Sequence, residues 1–165
     1  MAGNKGKKRK SAGTAKHLSP ALPLGFGINA DQAYRLKRIV KDSINKFQQK
    51  SAAQIDATNI LLRLSVGIYL CANILKMDES GESVVMSIDE GIKVMRAIGE
   101  RFIQSGSTKW HMSPGEFEII MEALDIIDEM QDQVTRRELL MAFRSAQRTM
   151  MSKGRIIDFG DSAYY

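Results

Sequence analysis

From Ala33 to Phe47, apolar side chains recur three or four residues apart, at Ala33, Leu36, Val40, Ile44 and Phe47, while Arg35, Lys37, Arg38, Lys41 and Lys46 fill positions between them. An α-helix turns once in about 3.6 residues, so this spacing stacks the apolar set along one side and leaves the cations on the others. Asn29 and Asp31 are the two candidates to cap its free N–H groups. The next apolar run, "DATNILLRLSVGIYLCANILKM", starts at Asp56 and carries a single charge, Arg63, before Lys76. It predicts a second helix, with Asp56 as cap, that is buried nearly all round. A membrane span needs about 20 predominantly apolar residues, and Arg63, Asn59 and Asn73 interrupt this run, so no membrane partner is expected.

Three further helices follow from start signals and periodicity. Gly81 in "DESGES" breaks the pattern, and Ser87 to Glu90 has the spacing of a capping box ahead of the stripe Ile88, Ile92, Met95, Ile98 or Gly99, and Phe102. "QSGSTKWHM" ends that helix. Ser113-Pro114-Gly115-Glu116 is a second box with proline in the first turn, before Phe117, Ile120, Met121, Leu124 and Ile127. No Gly or Pro falls between Gly115 and Gly154, which would allow one rod of about forty residues, an improbable length for a globular protein. A third box, Thr135 to Glu138, predicts a break near "QDQVT" and a fifth helix using Leu139, Leu140, Phe143, Ala146 and Met150 that stops at Gly154. The fold class is therefore all-α: one bundle of five helices over residues 29–153, with a disordered basic arm and extended connector over 1–28 and a short C-terminal tail over 154–165. Leu18, Leu22, Leu24 and Phe26 of the connector have the composition to lie along the bundle.

Charge changes this picture because of where it sits. The chain of 165 residues has a net charge of +5, and residues 1–30 carry six Lys or Arg and no acid. Residues 31–50 add +4, residues 78–132 hold −9, and residues 133–165 return to +3. Lys5, Lys7, Lys8, Arg9, Lys10 and Lys16, set among glycines and small residues, can approach phosphates closely and release condensed counterions. The first helix prolongs that run, so Arg35, Lys37, Arg38 and Lys41 join the arm as candidate nucleic-acid contacts, with DNA and RNA equally open. A nuclear-import address on Lys7 to Lys10 is the competing use of the arm.

Other constellations carry less. Glu118, Glu122, Asp125, Glu129 and Asp132 share one face of the fourth helix; with no histidine among them they read as a solvated face, or as one paired with Arg137, Arg144 and Arg148, rather than a metal site. Those arginines, with Arg136, also permit a weak helix-turn-helix reading of the fourth and fifth helices. Cys71 lies in the most apolar helix, where burial makes a thiol inert, and His111 lies in a loop. A lone cysteine and two histidines supply neither a disulfide framework nor a zinc set, and no phosphate loop or dinucleotide fingerprint occurs. No enzyme, cofactor, metal or small-molecule substrate is expected. Trp110, Tyr164 and Tyr165, in a loop and at the C-terminus, are the candidate protein-interaction residues.

Two functions compete. One is a non-enzymatic, intracellular nucleic-acid-associated protein, cytoplasmic, or nuclear in a eukaryotic host, whose arm and first helix bind phosphate backbone without strong sequence specificity. The other is a structural or adaptor protein of a larger assembly or homo-oligomer, whose arm and aromatic tail dock on protein subunits.

Overall fold

Helix α2 (Gln54–Tyr69) is the axis of the structure, and α1 (Ala30–Gln48), α3 (Glu82–Ser105), α4 (Pro114–Asp132) and α5 (Arg136–Ser152) all pack on it. The structure is a computed structural model that describes residues 30–77 and 81–152; no strand occurs among them. The arm and connector over 1–28, the tail over 154–165 and the expected stop at Gly154 lie outside the described residues. Ten of the sixteen residues of α2 are buried, as its sequence predicts. Leu36, Val40, Ile44 and Phe47 of α1, Ile88, Met95 and Ile98 of α3, Ile120 and Ile127 of α4, and Leu139, Phe143 and Ala146 of α5 close around it. Each fully buried Leu, Ile or Phe contributes roughly 1.5–3 kcal/mol relative to exposure.

Glycine sets two of the closest approaches. A Cβ on Gly67 of α2 would lie 2.5 Å from Cγ1 of Ile127, and one on Gly91 of α3 would lie 3.1 Å from Cβ of Ala123. These two positions let α4 sit tightly in the notch between α2 and α3.

Helix ends follow local rules at some sites and override them at others. Ser113 caps α4, with Pro114 in its first position, the Ser113 N–H donating to Glu116 Oε2 (2.8 Å) and the Glu116 N–H donating to Ser113 Oγ (3.4 Å). Thr135 and Glu138 make the same reciprocal pair at 2.8 and 3.2 Å, so α4 and α5 are separate helices. Gly106 ends α3 in the left-handed conformation at φ 60°.

Two helix starts differ from expectation. The N-cap of α2 is Ala53; Asp56 acts from inside the first turn, accepting the Ala53 N–H at 2.9 Å. Asp56 is also buried beneath the α1–α2 corner, where Ser43 Oγ (3.0 Å) and Lys46 Nζ (2.9 Å) donate to it, so tertiary contacts draw the helix start upstream. Of the two candidate caps of α1, Asp31 lies within the helix and Asn29 lies outside the described residues. Helix α3 begins at Glu82, five residues before Ser87, because Val84 and Val85 pack on the core and extend the apolar stripe. The Ser87 hydroxyl instead donates to Glu122 of α4, and Glu90 sits beside Lys93. The C-terminal end of the second apolar run widens into a π-helical turn, Leu70–Ile74, with the Leu75 N–H reaching Leu70 O at 2.9 Å.

Gln54–Ile74 is, among the described residues, the one segment long and apolar enough to cross a membrane by composition, and here the other helices cover it. Consecutive α4 and α5 are not packed side by side: α4 leans on α3 and α2, whereas α5 leans on α2 and α1. The helix-turn-helix reading, which needs the last two helices docked on each other, is not met.

Candidate nucleic-acid interface

The apolar face of α1 locks the helix onto α2, and this decides which of its cations meet solvent. Arg35, Arg38 and Lys41 are exposed and make no ion pair among the described residues, with Lys41 at the edge of a groove that also holds Asp125 and Asp128 of α4. Lys37 differs. Its Nζ lies 2.8 Å from Asp128 Oδ2 on α4, and Arg63 of α2 donates from Nη2 to Asp128 Oδ1 at 2.7 Å. Lys46, at the far end of α1, is held by Asp56. Of the four candidates on this helix, three are therefore exposed without an ion pair among the described residues and one bridges to the acidic side.

Arg63 is the most unusual charge in the molecule, 1% exposed at the base of a groove of about 360 Å³ between α1 and α4. Val40, Ile44, Phe117, Met121 and Leu124 wall that groove. Burial pulls the Arg63 guanidinium below the usual arginine range, while the hydrogen bond and charge of Asp128, and the charge of Asp132, push the other way. Arginine stays protonated even so, which makes the Arg63–Asp128–Lys37 triad an ionic tie between three helices that runs from buried Arg63 through half-buried Asp128 to exposed Lys37. Arg63 is legible in the sequence as the one charge between Asp56 and Lys76; its partner, 65 residues away, has no signal in the local pattern.

The acidic series has the geometry its spacing predicts. Glu118, Glu122, Asp125, Glu129 and Asp132 are all exposed along α4, which holds seven carboxylates and no base. Among the described residues no three His, Cys, Asp or Glu side chains converge as a metal set. Cys71 is buried with Sγ 3.4 Å from Met130 Sδ, and burial pushes its thiol pKa up. Met130 stands sixteen residues into α4, roughly 24 Å along the helix from its start, whereas exposed His111 lies just before that start. The two are not brought together.

Trp110 is corrected as an interaction residue. It is 3% exposed and stacks on Phe102, ring centroids 4.3 Å apart and 13° from parallel, so the loop aromatic closes the end of its own core. Tyr164 and Tyr165, with Lys5, Lys7, Lys8, Arg9, Lys10 and Lys16, lie outside the described residues.

These features define a class: an all-α bundle with a basic exposed surface on its first helix and an acidic one on its fourth. No family model, curated protein or solved structure matches the chain.

Proposed function

We propose that this is a non-enzymatic nucleic-acid-associated protein whose arm and first helix grip the phosphate backbone without strong sequence preference. The observation that carries the reading is the exposed trio Arg35, Arg38 and Lys41, which continues on a rigid element the cationic run of Lys5, Lys7, Lys8, Arg9, Lys10 and Lys16. Arginine offers phosphate a planar fork of donors, and closely spaced cations release condensed counterions on contact. The rival reading, an adaptor whose arm docks on protein subunits, is supported by the open carboxylates of α4, which would receive a basic arm from another copy.

Reversing Lys7, Lys8, Arg9 and Lys10 to Glu separates the two. The nucleic-acid reading expects the variant to lose retention on immobilised polynucleotide at unchanged hydrodynamic size. Smaller particles with retention intact would establish the adaptor instead.

A further inference from the structure

We infer that α5 supplies the second half of the phosphate-binding surface, through Arg137, Arg144 and Arg148 standing beside Arg35 and Arg38 of α1. This inference rests on the proposed function and extends it to residues about a hundred positions away in sequence. Arg137, Arg144 and Arg148 recur at i, i+7 and i+11, which at roughly 100° per residue places them on one face. That face is open: all three are exposed, and Met141, which lies between them on the same face, is 41% exposed. The opposite side of α5 is the one that packs, through Leu139, Ala142, Phe143, Ala146 and Met150.

The fold then brings two basic helices together. Helix α5 packs on α1 as well as on α2, so its arginine row and the cations of α1 stand on neighbouring helices. Helix α1 has five Lys or Arg against two acids and α5 four against one. The one acid of α5, Glu138, is turned to the helix start, where the Thr135 N–H and hydroxyl both donate to it at 2.8 Å. It therefore does not interrupt the arginine face.

In sequence, the acidic fourth helix stands immediately before these arginines and argues against any polyanion approaching them. In the fold, α4 packs on α3 and α2, and its Asp125 and Asp128 line the groove beside Lys37 and Lys41 of α1, so the proposed approach is over α5 with Arg35 and Arg38 rather than over that groove. Three arginines spaced along a rigid helix suit a run of backbone phosphates, each able to take a forked contact. The ligand class is a phosphodiester backbone, as a continuous polyanion.

The test compares three full-length chains on duplex DNA over a salt series: the wild type, the arm reversal above, and R137Q/R144Q/R148Q, each checked for an unchanged helical spectrum and melting transition. An R137K/R144K/R148K variant, which keeps the charge, should recover most of the binding. The inference expects the glutamine variant to lower the slope of log K against log salt by about 2.7, because each lost phosphate contact removes about 0.9. Between 50 and 200 mM salt, its loss of affinity should then be roughly 40-fold smaller than that of the wild type. If the arm reversal weakens binding while the glutamine variant matches the wild type in affinity and slope, the inference fails and the proposed function stands. A wild type that binds no polynucleotide at low salt overturns both.

Discussion

Asp128 holds two cations at once, one buried and one exposed, and their costs are unequal. Replacing it with Ala would strand Arg63, 1% exposed, without its hydrogen-bonded counterion, and uncompensated buried charge is among the most expensive single changes. We expect D128A to cost about 2–4 kcal/mol, read as a lower urea midpoint at constant m, the partial exposure of Asp128 keeping the figure below that of a fully buried pair. R63M removes the buried charge itself and leaves Asp128 to Lys37, so it should cost about 1 kcal/mol or less. A D128A chain as stable as R63M would show that Arg63 does not depend on Asp128.

Glu116 gives a pH signature. Burial alone would raise its carboxyl, but the fork of Arg101, with Nη2 2.8 Å from Oε2, and the N–H and hydroxyl of Ser113 together hold it at about 2. A carboxyl lowered on folding adds stability that is complete above its unfolded value near 4.5 and disappears as pH falls toward 2. Arg101 is half exposed, so screening reduces the contribution to about 1–2 kcal/mol. E116Q should therefore lower stability by that amount at pH 7 and flatten the stability curve between about pH 4.5 and 2; an unchanged acid limb would exclude Glu116 as its source.

At the scale of the element, most helices are legible because apolar spacing and capping chemistry agree. Ser113 with Glu116 and Thr135 with Glu138 mark their starts in sequence and in structure alike. Where a local signal and the core compete, the core wins: Ser87 to Glu90 has box spacing, yet Val84 and Val85 carry α3 through it. Trp110 fails for a related reason, since nothing in "KWHMSP" tells that Phe102 waits across the loop. The basic face on α5 is equally hidden, because its neighbour α1 is joined to it only by the fold.

Packing at Gly67 is likewise invisible in a helix otherwise favourable to larger side chains. Its Cβ would meet Ile127 at 2.5 Å, so G67A should destabilise by about 1–3 kcal/mol although alanine is the better helix former by about 1 kcal/mol. Pairing it with I127V, which removes a methyl at the clash, should recover part of the loss; a G67A chain more stable than wild type would mean that α2 and α4 are not in close contact there.

Across the whole molecule, the blocks of charge along the chain become sides of a solid. The negative stretch belongs mostly to α4, and the two positive stretches on either side of it in sequence are joined where α1 and α5 pack. A net charge of +5 understates the field such a surface presents, because most of the acidic excess is on α4 and α1 and α5 are each net basic. The same polarity would let copies associate head to tail at low salt, basic side on acidic side.

The most direct test of the proposed grip is the salt dependence of wild-type binding to duplex DNA. Six arm cations and the exposed trio of α1 predict that log K falls with log salt at a slope steeper than about −5, each phosphate contributing about 0.9. A shallow slope, or no binding at low salt, would contradict it and turn the basic surface toward a protein partner.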